Sequence, residues 1–367
     1  LGIFHAPFLE YLRSFHFEGD IWAIPEGSVV FPYEPLVKVI APIMQAQLIE
    51  TALLNIVNHQ SLIATKTARV VQAARGDGIM EFGLRRAQGA GGGMWASRAA
   101  VVGGCASTSN VLAGKTYGLP VSGTHAHSWV MSFPSELEAF RAYAREFPRN
   151  CVLLVDTYDV EQGIRNAITV GLEMRARGER LAGIRIDSGD LAWLAKMARR
   201  MLDAAGLDDC GIVLSNDLDE YTIQSLFAQG APIDSFGVGT KLATCDPQPS
   251  LGGVYKLSAI RASADEPWRP VIKLSEQAYK RTIPGIQRVL RFYDETECPV
   301  GDMICQEGAD PSCDEMIDIL DSFRSYDLSG AYRELLVRVV DHGRGTDAGA
   351  VSIEHARERC KSAIMHL

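Results

Sequence analysis

Between residues 76 and 245 the chain repeats one rhythm: a short apolar run, a polar or glycine-rich turn, then a helix-like stretch. Residues 79–82 lead to Gly83-Leu84-Arg85-Arg86, 119–121 to Ser122–His127, and 151–155 to Asp156-Thr157-Tyr158-Asp159. Residues 182–186 lead to Asp187-Ser188-Gly189-Asp190, 211–214 to Ser215-Asn216-Asp217, and 233–236 to Gly237-Val238-Gly239-Thr240. Short apolar runs alternating with helices predict the buried strands of a parallel sheet. The reading is α/β: a parallel α/β barrel over 76–245. A doubly wound open sheet shares the rhythm, and both architectures gather functional residues past the strands' C-terminal ends.

The flanks read differently. Residues 19–42 carry short apolar runs broken by Pro-Glu-Gly and Pro-Tyr-Glu-Pro, which predicts β structure. Pro42 suits the first turn of a long helix, whose apolar face (Leu48, Ile49, Ala52, Leu53, Ile56, Val57) continues to about Ala74. After Cys245 the rhythm stops. Residues 253–258 read as a strand, the tail from about Asp314 as mixed helix, and 343–349 as a loop. The simplest arrangement returns residues 246–367 to the domain begun by residues 1–75. The chain starts at Leu1 within what reads as a helical pattern (Phe8, Leu9, Tyr11, Leu12, Phe15), so the N-terminal part of that domain is expected to be missing.

Composition adds exclusions. Net charge is −9, which argues against a broad nucleic-acid surface but leaves room for a small anion in a local basic pocket. No apolar run is long enough to cross a bilayer, and no signal-peptide pattern opens the chain. The eight cysteines form no C-x-x-C pair, and Cys298, Cys305 and Cys313 match no common zinc spacing. They read as reduced thiols of a cytoplasmic protein, with a structural metal as the minor alternative.

The strand ends therefore put cations, carboxylates and turn backbone on one rim. His125 and His127 sit at a strand-to-helix turn, two apart, which suits neither a helix face nor a metal pair. One faces the site and the other packs. Ser122-Gly123-Thr124 offers hydroxyls and backbone N–H groups to an anion. Arg185 and Asp187 share one strand face and can hold a phosphate and a sugar hydroxyl or Mg²⁺; a buried ion pair is the alternative. Arg85-Arg86 can fork onto a carboxylate or be a solvated surface pair. Asp156 and Asp159 can carry a metal, orient a histidine, or cap a helix. Gly237-Val238-Gly239-Thr240 is either a phosphate loop or a tight turn. There is no G-x-G-x-x-G, Walker A, nucleophile elbow or H-E-x-x-H pattern.

Eleven ordered segments from Pro25 to Leu257 carry a resemblance. They are PEGS, ET, AT, EFGLRRAQG, SNVLAG, VSGTHAHSWVMSF, DTY, IRIDSGDL, SNDLDE, GVGT and PSLGGVYKL. In these the chain resembles the nicotinate phosphoribosyltransferase family. The resemblance implies a type II phosphoribosyltransferase fold, with an irregular parallel α/β barrel over 76–245 and a second α/β sandwich domain of residues 1–75 and 246–367, and an ATP-assisted reaction in NAD salvage. Nicotinate and phosphoribosyl pyrophosphate would give nicotinate mononucleotide and pyrophosphate, with Mg²⁺ required. It implies a homodimer with sites where two subunits meet, and no membrane or nucleic-acid partner.

Carried onto this chain, His127 looks like the histidine phosphorylated by ATP, and Arg185 and Asp187 like catalytic partners, with Asp187 on the metal. Arg85 looks like a nicotinate contact supported by Arg86. Ser122, Gly123, Thr124 and Ser128 fall in the histidine motif, and Ser215, Asn216, Gly237, Gly239 and Thr240 would cradle the 5′-phosphate. Lys256, and with it Lys273 and Lys280, would face nucleotide or pyrophosphate. The family's usual T-D-x-Y-x-x-T-M-like opening is not found here. The nicotinamide-specific sister enzyme is the nearest alternative, but residues 105–114 lack the acid it places there. A truncated homologue that binds ligand without turnover is the alternative from another class.

Overall fold

The computed structural model describes residues 2–273, 283–310, 316–319, 321, 323–326 and 330–366; Lys280, Arg281 and Cys313 lie outside the described residues. The chain divides into two compact units, residues 1–56 with 252–367, and residues 57–251.

In the first unit, helix α1 (Ala6–Arg13) precedes strands β1 (Asp20–Ala23) and β2 (Val37–Ile40), which pair antiparallel. On its other edge β1 pairs with the strand Val337–Asp341. A second sheet of this unit centres on Gln287–Tyr293, flanked by Pro299–Gln306 and Ala331–Glu334. Val289, Leu335 and Leu336 form its small core against Trp22 and Ile24. Two expectations are corrected here. Residues 253–258 form no strand, and pairing begins only at Ala259–Ile260. The described tail combines five short strands with the helix Ile353–Met365 and a short 3₁₀ turn at Asp347–Gly349, rather than helix alone. Two of its strands pair with residues far away in sequence, Val337–Asp341 with β1 and Ala331–Glu334 with Gln287–Tyr293, so local periodicity is a weak guide to them.

The helix expected from Pro42 forms as α2 (Ile43–Leu48) and α3 (Glu50–Ala73). The interruption is local: Ile49 N–H still bonds Gln45 O (3.3 Å), and Leu53 N–H bonds Ile49 O (3.0 Å).

The second unit holds the strand–helix rhythm. Its strands are β3 (Gly78–Glu81), β4 (Ser107–Thr108), β5 (Cys151–Leu154), β6 (Leu181–Ile186), β7 (Gly211–Asn216) and β8 (Ser235–Val238). All pairings are parallel, in the order β4-β3-β8-β7-β6-β5, and the sheet curls into a half-barrel. Ile184, Ile186, Ile212, Leu214, Phe236 and Val238 are fully buried, as strands covered on both faces require. Helices α4 (Gly89–Val102), α5 (Val111–Tyr117), α6 (His127–Met131), α7 (Glu136–Glu146), α8 (Val160–Ala176), α9 (Leu191–Ala204), α10 (Glu220–Ala228) and α11 (Thr240–Ala243) follow in turn. Asn110, Ser135, Asp159, Asp190 and Asp219 cap α5, α7, α8, α9 and α10, each side chain accepting a backbone N–H.

The two edge strands of this sheet are linked by the segment that carries the histidines. Thr108 N–H bonds Pro120 O (3.0 Å) and Ser122 N–H bonds Thr108 O (3.1 Å), which ties the segment to β4. His125 Nε2 accepts Leu154 N–H (3.2 Å), which ties it to β5. The histidine turn is thus pinned at both ends by backbone that would otherwise lack partners.

Candidate active site

The C-terminal ends of β3, β6, β7 and β8 open onto a cavity of about 200 Å³. Arg85, Arg86, Arg185, Asp187, Ser215, Asn216, Gly237, Gly239 and Thr240, all expected at the site, line it, together with Phe82 and Asp217. Parallel strands end in register, so residues distant in sequence converge there.

Arg185 forms the centre. Its Nε donates to Ser215 Oγ (2.7 Å), Nη1 to Thr124 Oγ1 (2.8 Å), and Nη2 to Asp187 Oδ1 (2.9 Å). Ser215 Oγ also donates to Asp187 Oδ1 (2.5 Å). The guanidinium lies 5.2 Å from the Phe82 ring centre. Among the described residues no donor reaches the other Asp187 oxygen. Arg85 and Arg86, on the short 3₁₀ turn Leu84–Arg86, are exposed, and among the described residues neither has an ion-pair partner. Two unpaired arginines in a concave wall favour a planar anion.

Both histidines are placed, in different roles. His125 is buried and packs edge-on against Tyr143, ring centres 4.7 Å apart. Burial, with Arg185 and His127 nearby, pushes its pKa down to about 4 although the Ala126 carbonyl opposes the shift. It is a neutral acceptor for Leu154 N–H. His127 opens α6 with its side chain 40% exposed, and its Nε2 lies 3.1 Å from Asp156 Oδ1. The Asp156 side chain is fully buried, and its Oδ2 accepts Asp187 N–H (2.9 Å) and Ser188 Oγ–H (2.7 Å). Of the roles left open for the 156–159 pair, Asp156 orients a histidine while Asp159 caps α8.

The turns need particular residues. A Cβ on Gly237 would stand 2.7 Å from two Phe82 ring carbons, and one on Gly83 2.3 Å from Ala243 Cβ. Asn216 has φ +138°, a strained conformation for a non-glycine residue, at the cavity wall.

Other expected residues stand apart. Ser122 pairs with Ser107, Gly123 and Ser128 are exposed beside the histidine turn, and none of the three lines the cavity. Lys256 and Lys273 belong to the first unit. Glu81 and Phe82 were missed. Glu81 sits in an apolar run as a lone carboxylate, a signal that its burial would need donors.

Together these features define a class: an α/β protein whose strand ends form a cationic, glycine-lined rim suited to an anionic small molecule. The chain belongs to the nicotinate phosphoribosyltransferase (NAPRTase) family, matched over residues 78–295. Residues 1–58 match the family's N-terminal domain, so that domain is represented here, which corrects the expectation of a chain lacking it. Over 296 residues the chain is 50% identical to the nicotinate phosphoribosyltransferase of Bacillus subtilis, covering 80% of this chain and 59% of that one. The crystal structure of human nicotinic acid phosphoribosyltransferase superposes with a TM-score of 0.85 at 31% identity, covering 99% of this chain and 80% of that one. A nicotinate-nucleotide pyrophosphorylase from Pyrococcus furiosus shares the fold, with a TM-score of 0.73 at 22% identity over 97% of this chain and 82% of that one. The chain spans 56% to 64% of the length of the curated relatives it matches.

Proposed function

We propose that this protein catalyses ATP-assisted transfer of a phosphoribosyl group from phosphoribosyl pyrophosphate to nicotinate. The products are nicotinate mononucleotide and pyrophosphate, in NAD salvage. The observation that carries this reading is the cavity in which unpaired Arg85 and Arg86 adjoin the Arg185–Asp187–Ser215 clasp. Family membership supports the same chemistry.

In this reading the nicotinate carboxylate is held by Arg85 and Arg86. The 5′-phosphate rests on Ser215, Asn216 and the Gly237–Thr240 backbone, where small residues admit close approach. The ring nitrogen attacks ribose C1 and the C1–O bond to pyrophosphate breaks, the electron pair leaving with pyrophosphate. No proton moves in that step, so positioning and charge stabilisation do most of the work. Arg185 and Asp187 stabilise the cationic ribose and the departing anion.

The free Asp187 oxygen would hold Mg²⁺, a hard cation that takes oxygen ligands, and the bound ion would supply neutralisation of the pyrophosphate charge. ATP transfers its γ-phosphoryl group to a ring nitrogen of His127, releasing ADP, and water later removes it as phosphate. Asp156 orients the ring. Lys256 and Lys273 serve the nucleotide or pyrophosphate, and Ser122, Gly123, Thr124 and Ser128 shape the histidine turn. The enzyme works as a cytoplasmic homodimer with its sites at the subunit interface.

The nicotinamide alternative is weaker. Asn110, in the segment where an acid would serve an amide substrate, accepts Ala113 N–H (3.1 Å) and donates to Ser97 Oγ (3.2 Å), so it is occupied within the fold.

The test is product formation from nicotinate, phosphoribosyl pyrophosphate and Mg²⁺, with and without ATP, for wild type and His127→Ala. ATP should raise turnover in wild type, and the mutant should lose that rise. Equal turnover on nicotinamide would overturn the substrate assignment. Binding without turnover on any pyridine would favour the non-catalytic homologue.

A further inference from the structure

Glu81 ends β3, is 1% exposed, and takes no part in the chemistry above. One of its oxygens accepts Gly83 N–H. The other accepts Thr108 Oγ–H (2.6 Å) and Ser97 Oγ–H (3.0 Å). These partners lie on three different elements: the turn after β3, strand β4, and helix α4. Each continues the network. Gly83 O accepts Arg86 N–H (2.8 Å), the bond that closes the short turn bearing Arg85 and Arg86. Thr108 is the β4 residue whose backbone holds the segment leading to Thr124 and His125. Ser97 receives Asn110 Nδ2–H (3.2 Å). Phe82, between Glu81 and Gly83, is fixed from the opposite side by its N–H on Val238 O (2.8 Å).

A buried carboxylate costs stability unless donors surround it, and these donors are all neutral. Apolar packing could join the same elements more cheaply, so the carboxylate's particular contribution is directional: an acceptor aimed at a glycine N–H inside a turn. We propose that Glu81 is the positioning residue of the Arg85–Arg86 wall, setting how tightly the cavity binds its anion. The proposal deepens the reading given above and rests on it for the identity of that anion.

The substitutions separate positioning from folding. Glu81→Gln keeps an oxygen for Gly83 N–H, and its amide N–H groups can donate to Ser97 and Thr108, whose hydroxyls both accept. Glu81→Ala removes the brace, and Glu81→Asp is too short to reach both sides, serving if the alanine variant fails to fold. Steady-state kinetics on the full chain should show KM for nicotinate raised at least ten-fold in Glu81→Ala. Its kcat should stay within about three-fold of wild type. Glu81→Gln should restore KM to within about three-fold, and Glu81→Asp should fall between. Unchanged KM with kcat falling in step with the folded fraction, read by circular dichroism, would overturn the proposal.

A second readout covers failure of the functional reading itself. If wild type turns over no pyridine substrate, calorimetric titration with benzoate, a planar carboxylate of the kind the Arg85–Arg86 wall favours, replaces KM. A ten-fold weaker affinity in Glu81→Ala, restored in Glu81→Gln, would uphold the brace, and equal affinities would sink it.

Discussion

Asp156 serves three partners with two oxygens: His127 on one, Asp187 N–H and Ser188 Oγ–H on the other. An amide in its place presents two N–H donors where acceptors are needed. Asp156→Asn should cost about 1–3 kcal/mol in denaturant unfolding and should lower ATP stimulation of turnover. Asp159→Asn, three residues on, should stay within about 0.5 kcal/mol because asparagine caps a helix as well as aspartate does. His125 supplies a pH dependence. Its pKa is lowered in the fold to about 4 by burial, from an ordinary 6.5. Between those values the unfolded chain binds more protons, so stability is present above pH 6.5 and is lost as pH falls through 4. The swing for a group this buried is about 3 kcal/mol. Thermal melts from pH 7 to 4 should fall more steeply in wild type than in His125→Gln, whose amide oxygen can still accept Leu154 N–H.

Two glycines show what elements demand of each other. A Cβ on Gly163 of α8 would stand 2.0 Å from Val155 O, at the end of β5. Backbone oxygen cannot yield as a flexible side chain can, so Gly163→Ala should lift α8 from the sheet. We expect a loss of about 3 kcal/mol or more in unfolding free energy, a size reserved for strain of this kind. Val155 precedes Asp156, so kcat should fall as well. Gly91 of α4 is exposed and meets nothing within 4 Å, so Gly91→Ala should stabilise by about 0.5–1 kcal/mol. At this scale the sequence was informative where apolar runs were continuous. Strands β3, β5, β6, β7 and β8 fall within a few residues of their runs. Strand β4, two polar residues with no apolar run, was not visible, nor was the tail strand Val337–Asp341, which pairs across hundreds of residues.

For the molecule as a whole, the first unit adds an alkaline response to the acid response of His125 in the second. In the first unit Glu34 sits beside Asp302, which Arg291 holds through two bonds of 2.7 and 2.6 Å. Burial, and then the Asp302 carboxylate, push Glu34 up to about 8 from an ordinary 4.5, against the Phe31 N–H and the Arg291 charge. Among the described residues no donor reaches its buried Oε1, which suits a protonated acid better than a carboxylate. The folded state binds the extra proton between 4.5 and 8. This contribution is therefore full below pH 4.5 and is lost as pH rises through 8. Glu34→Gln should flatten the decline in melting temperature between pH 6 and 9 and leave the acid side unchanged. An identical alkaline slope in the variant would disprove the assignment.

By itself the sequence determined the fold class, the strand ends as the place of chemistry, and most of the residues gathered there. These follow from periodicity and turn residues, which act over a few neighbours in the chain. Tertiary structure decided what depends on distant partners. It made His125 a buried acceptor and left His127 on Asp156, though the two residues stand in the same turn. It gave Asp159 to a cap and Asp156 to the rim, engaged Arg185 on three sides, and left Arg85 and Arg86 open. It also buried Glu81 against two elements from beyond its own turn. Burial and hydrogen-bond geometry set those roles, and both are properties of packing that no stretch of sequence contains alone.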